Sequence, residues 1–113
     1  MAPRALTDLE LMLLLATLRV GEHAYGVQIA REMEQTAGRR VLLGVVYATL
    51  DRLETAGYVR SSVGDPTPER GGRAKRYFRV TPAGVRAVKD TQTAFVSLWR
   101  GIAELKDVKG GRA

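Results

Sequence analysis

The chain has 113 residues, 45% of them hydrophobic and 27% charged, a balance that suits one soluble domain with a buried core. It contains no cysteine and a single histidine, His23, which excludes disulfides, zinc fingers, thiol catalysis and most histidine-based acid–base schemes. The net charge of +6 is unevenly placed: residues 1–56 carry six basic against seven acidic side chains, residues 57–80 six against two, and residues 81–113 six against three. Charge gathered in one segment makes a local positive field that suits a polyanion.

The apolar run "LMLLLATL" follows Arg4, but Asp8 and Glu10 interrupt its front and no small-residue cleavage site comes after it. It is therefore not read as a secretory signal, and nothing approaches the ~18 apolar residues of a membrane span. The expectation is a cytoplasmic protein with no membrane partner. Thr7-Asp8-Leu9-Glu10 is a capping box that starts a first helix, which runs to about Arg19 and is closed by Gly21. Leu9, Met12, Leu13, Leu15 and Ala16 make this helix apolar almost all round, so it should be buried on more than one side. In so small a domain that points to a second copy, with Leu9, Met12 and Leu13 at the interface.

A second helix is expected from about Ala24 to Ala37, with Gly38 as its stop and Val27, Ala30, Met33 and Ala37 facing inward. "RRVLL" (39–43) reads as one small strand or a turn. The third helix spans Val45 to Ala56, with Gly44 at its start, Gly57 at its C-cap, and Val46, Leu50 and Leu53 on its core side. Its opposite face carries Gly44, Ala48, Asp51, Arg52 and Thr55, with Val45 at the edge. Small residues in its first turns allow close approach to another surface.

"YVRSSV" (58–63) and "KRYFRV" (75–80) alternate like strands and flank the turn-rich "GDPTPERGGRA". Tyr77 or Phe78 anchors this hairpin, depending on strand register. Thr81-Pro82 starts a fourth helix that can run to about Asp107. Its stripe of Val85, Val88, Phe95, Leu98, Trp99, Ile102 and Leu105 is longer than a three-helix core can cover, so its far half should pack on another subunit. Gly101 either permits close helix approach or marks fraying.

The expected fold is mainly α with a small β hairpin: a winged helix-turn-helix at residues 1–80 with its wing at 58–80, a C-terminal dimerisation helix at 81–107, and a tail at 108–113. In this arrangement the third helix enters the major groove while the wing touches the backbone or minor groove beside it. Phosphates call for Arg and Lys, and glycines let a loop backbone come close to the duplex. Arg60 and Arg79 sit on the strands and are open to either a phosphate or a solvent role.

Taken in order, "LTDLELMLLLATL", "YGVQIAREM", "LGVVYATLDRLETAGYV" and "ERGGRAKRYFRVTPAGVRAV" make the chain resemble the PadR family of bacterial transcriptional regulators over roughly residues 6–105. The likeness is to short members with one C-terminal dimerisation helix. It implies a homodimeric repressor of its own or a neighbouring gene, bound to a pseudo-palindromic operator in double-stranded DNA. By position, Tyr47 matches the family's recognition-helix tyrosine, which tends to contact DNA backbone. Gly71, Gly72, Arg73, Lys75 and Arg76 match the wing. Where the family often has Ser, Thr or Pro before the recognition helix and Pro after the tyrosine, this chain has Leu42, Leu43 and Ala48.

The expected DNA-contacting set is therefore Gly44, Val45, Tyr47, Ala48, Thr49 and Arg52 together with those five wing residues. Tyr47 has half-buried packing as its alternative, and Arg52 has a guanine edge or a salt bridge with a nearby carboxylate. Asp51 would repel phosphate and is expected to orient a basic neighbour. Phe95, Leu98, Trp99, Ile102 and Leu105 complete the expected dimer interface. Trp99 is either interface core or, with its symmetry mate, the lining of a space for a flat hydrophobic effector, as in some drug-responsive relatives. The competing reading is an RNA-binding protein prompted by "RGGR", although no repeat or aromatic platform accompanies it. No nucleophile–base pair or metal cluster is recognisable, so neither an enzyme nor a cofactor is expected.

Overall fold

A computed structural model describes residues 5–66 and 74–106. Helix α1 (Asp8–Val20) opens as its sequence requires. Thr7 Oγ1 accepts from the Glu10 amide at 3.1 Å, while Glu10 Oε1 accepts from the Thr7 amide at 2.9 Å. The next element is a two-residue strand, β1 (Ala24–Tyr25), and not the start of the second helix. Helix α2 (Gly26–Ala37) begins only after it, with the Tyr25 amide held by Gln28 Oε1 at 3.1 Å. The buried side of α2 is formed by Gly26, Ile29 and Met33. Val27 and Ala30 lie on its flank and Ala37 is exposed, so the expected inward stripe is corrected by one position at its N-terminal end.

"RRVLL" forms no strand, and α3 begins earlier than expected, at Leu43, running to Thr55. Val46, Leu50 and Leu53 on α3 are fully buried. Strands β2 (Val59–Pro66) and β3 (Ala74–Val80) pair antiparallel, and β1 pairs with β3 on its other side, giving a three-stranded sheet ordered β1-β3-β2. Register places Ala24 opposite Phe78 and Tyr25 opposite Tyr77. The period-2 alternation then sends Phe78 into the core and Tyr77 to the outer face, so Phe78 is the anchor that the sequence left open. It joins Leu13, Leu14, Ile29, Met33, Val46, Leu50 and Leu53 in one apolar cluster.

Leu13, expected at a dimer interface, is part of this intramolecular core and is fully buried there. Leu9 and Met12 are half-buried against the same core. The outward residues of α1 are Leu15 and Leu18.

Helix α4 (Pro82–Trp99) is pinned where it leaves the wing. Thr81 Oγ1 accepts from the Gly84 amide at 3.0 Å and donates to the Gly57 carbonyl at 2.7 Å, and the Thr81 amide reaches the Tyr58 carbonyl at 3.0 Å. Gly84 is buried against that carbonyl so closely that a Cβ there would collide with it. The helix ends at Trp99, short of the expected Asp107. Gly101 at φ 84° breaks it, and only a 3-10 turn (Ala103–Leu105) follows. Left-handed backbone is readily adopted by glycine and terminates a right-handed helix. No helix among the described residues is long and apolar enough to cross a membrane.

Candidate nucleic-acid interface

The exposed face of α3 is the one expected: Gly44, Val45, Ala48, Asp51, Arg52 and Thr55 all reach solvent. No side chain caps its N-terminus, where Leu42 supplies only its carbonyl to the amides of Val45 and Val46 at 2.9 and 3.1 Å. A Cβ added at Gly44 would meet nothing within 4 Å. The helix therefore presents an open first turn of small and apolar groups.

Thr49 is corrected. It is 0% exposed, and its hydroxyl donates to the Val45 carbonyl at 2.7 Å. A threonine whose hydroxyl is spent on the preceding turn packs as an apolar residue, so its side chain cannot reach a base. Arg52 is exposed and donates to Thr49 Oγ1 at 3.3 Å. It makes no ion pair among the described residues.

Tyr47 is half-buried. Its ring lies 6.1 Å from that of Phe78, centroid to centroid, and leans over Gly26, the first residue of α2. A Cβ at Gly26 would stand 2.5 Å from Tyr47 Cζ and 2.6 Å from its hydroxyl oxygen. The glycine therefore leaves the space that the phenol fills, at the positive end of the α2 dipole. The ring of Tyr47 thus packs between Phe78 and the start of α2.

The wing divides by strand register. Gly71, Gly72 and Arg73 lie outside the described residues. Lys75 projects on the outer face, with Nζ 5.2 Å from the Tyr25 ring centroid, while Tyr77 meets His23 and Tyr25 edge-on. Arg60 and Arg79 stand directly opposite one another on that outer face.

Arg76, expected among the DNA contacts, points the other way, towards α3. Its Nη2 donates to Asp51 Oδ1 at 2.8 Å and to Glu54 Oε1 at 3.1 Å, and the guanidinium covers the Phe78 ring at 4.8 Å. Asp51 thus orients a basic side chain, and Arg76 ties the wing to the helix.

Glu54 completes this junction. Its carboxylate accepts from the Ser61 hydroxyl at 2.9 and 3.0 Å and from the Ser61 amide at 3.0 Å. These bonds, chiefly from Ser61 and then from Arg76, hold its pKa below the ordinary value of 4.5 against the opposing effect of burial. Glu54 is not among the site residues expected from the sequence. The usable signal was a carboxylate one turn from Asp51, facing a strand with Ser and Arg on the same side.

On the far side of the molecule, Phe95, Leu98, Trp99, Ile102 and Leu105 line one shallow hollow of about 210 Å³. Leu98 is 76% exposed, and Phe95 and Trp99 are each 58% exposed. Trp99 also borders a larger groove of about 620 Å³ between α1 and α4, walled by Leu11, Leu15, Val88, Phe95 and Val96. The structure brings the five residues expected on the last helix together. It adds Leu11 and Leu15, of which Leu15 belongs to the apolar set expected on α1 but was not placed at this surface.

Three helices, an open helix face and a hairpin braced against it define a winged helix-turn-helix, a DNA-binding architecture. The model of the transcriptional regulator PadR-like family matches residues 14–90, more than half of the chain. The protein belongs to that family and is a DNA-binding transcriptional regulator. Among solved structures, it is similar to RosR of H. salinarum at 28% identity and TM-score 0.68, covering 93% of this chain and 87% of that one. The complex structure of hsRosR-S4 matches at 28% identity and TM-score 0.67, covering 92% and 83%. A PadR family transcriptional regulator from Eggerthella lenta shares the fold at 22% identity and TM-score 0.67, covering 87% and 85%. No curated protein matches the chain.

Proposed function

We propose that the protein is a homodimeric repressor of its own or a neighbouring gene, relieved by a flat hydrophobic small molecule. The observation that carries this reading is the division of the surface into two unlike faces. One is the open face of α3 beside the wing. The other is the apolar far half of α4, which the described residues leave exposed.

On the first face, α3 enters the major groove, with Gly44, Val45 and Ala48 close to the bases and Arg52 within reach of a guanine edge. The Tyr47 hydroxyl, at the N-terminus of α2, suits a phosphate. Gly71, Gly72, Arg73 and Lys75 of the wing add sequence-independent backbone contacts. On the second face, Phe95, Leu98, Trp99, Ile102 and Leu105 meet their symmetry mates. Exposed apolar patches of this kind mark interaction sites in soluble proteins. The groove bordered by Trp99 supports an effector site shared between the two copies.

A two-fold dimer requires a pseudo-palindrome, with half-sites about one helical turn apart. Footprinting the purified protein on the DNA upstream of its own gene tests operator, symmetry and autoregulation together. A protected inverted repeat is expected. Protection of a single asymmetric half-site would refute the dimeric reading.

A further inference from the structure

The recognition helix offers the major groove very little that can form a hydrogen bond. Thr49 is buried with its hydroxyl committed to Val45, and Asp51 is committed to Arg76. At the front of the helix the exposed side chains are apolar: Leu42 is 76% exposed, Val45 is 41% exposed, and Ala48 is open to solvent at the centre of the face. Arg52 is the one polar side chain between Leu42 and Arg52 that is both exposed and without a carboxylate partner among the described residues. The helix therefore lacks the Asn or Gln that pairs with an adenine edge, and its one exposed carboxylate, Asp51, already accepts from Arg76 through Oδ1.

We infer that α3 selects its site mainly by burying thymine C5-methyl groups against Val45 and Ala48, with Leu42 beside them, and that Arg52 adds one guanine contact. This rests on the reading of α3 as the helix in the major groove. The thymine methyl is the apolar feature of that groove, so it is what an aliphatic surface can distinguish. Each such contact excludes water from a methyl and from the side chain facing it. A half-site read in this way holds thymines opposite the first turns of α3 and a guanine beside Arg52.

The test uses the full chain and the sequence that footprinting identifies. Each thymine is replaced in turn by deoxyuridine, which removes the methyl and keeps the pairing and the O4 acceptor. Affinity is measured with wild type, Val45→Ala and Ala48→Gly, after circular dichroism shows that both variants are folded.

At one or two thymines per half-site, uracil should weaken wild-type binding about fourfold, the loss expected for one buried methyl. That penalty should vanish in Val45→Ala or Ala48→Gly, which is the coupling a direct contact requires. Uracil tolerated everywhere while sequence-specific protection persists would overturn the methyl readout and leave the regulator reading intact. A penalty that persists unchanged in both variants would assign the effect to DNA shape, and it too would overturn the inference. A protein that protects no sequence at all would overturn the groove-binding reading together with it.

Discussion

Glu54 gives the clearest single-residue consequence. Its folded-state pKa is depressed, so between that value and the ordinary 4.5 the folded chain binds fewer protons than the unfolded one. The stabilisation is fully present above the unfolded value and is lost as pH falls through the folded one. Melting temperatures of wild type and Glu54→Gln should therefore differ most near neutrality and converge in acid. Curves that stay parallel down to strongly acidic pH would show that the Ser61 and Arg76 contacts contribute nothing. Gly84 is the second sensitive position. Alanine there drives a Cβ into the Tyr58 carbonyl and against Val80, an overpacking that should cost about 1–3 kcal/mol and lower the melting temperature. A Gly84→Ala variant as stable as wild type would mean that α4 docks less closely than described. Individual residues were also where sequence reading fared worst. Thr49 was expected among the DNA contacts, and its full burial and back-bonded hydroxyl show that it packs as an aliphatic group.

At the scale of elements, the helices and the hairpin were legible because their signals are local: a capping box at Thr7, Thr-Pro before α4, and i, i+4, i+7 apolar spacing on α3. What sequence missed depended on partners distant in the chain. The two-residue β1 is too short to show a pattern and exists only because β3 lies beside it. Its presence delays α2 to Gly26 and moves that helix's inward stripe. Arg76 and Lys75 looked like one basic clamp, yet neighbouring residues on a strand face opposite ways, and only register showed which one meets α3. Gly101 was open to close helix approach or fraying, and its left-handed backbone just past Trp99 makes it the end of α4. The uncovered part of α4 yields its own expectation. Leu98→Asp places a charge in the most exposed apolar position of that face, and sedimentation should show a monomer where wild type sediments as a dimer. A variant that still sediments as a dimer would place the interface elsewhere.

For the molecule as a whole, the net charge of +6 favours a polyanion, and the number of phosphates that its basic side chains neutralise sets how binding responds to salt. Arg73→Ala or Lys75→Ala should weaken binding at every DNA sequence and reduce the slope of log affinity against log salt by about one. A changed base preference with an unchanged slope would remove these residues from the backbone contacts. Which segment carries the charge was legible in the sequence, because that needs no tertiary information, whereas the direction of each basic side chain was not. The joint between the wing and α4 was not legible either, since it runs through the Thr81–Gly84 junction with Gly57 and Tyr58. That junction makes α4 a lever with a fixed fulcrum. At 1.5 Å per residue the stretch from Gly84 to Trp99 spans about 22 Å, so a tilt of about 10° at Gly84 carries Trp99 through roughly 4 Å. In the dimer proposed above, a guest that respaced the far ends of two such levers would rotate both wings and their recognition helices out of step with the turn of the double helix. Release from DNA would then need no contact between guest and DNA, only a change of pitch between two arms.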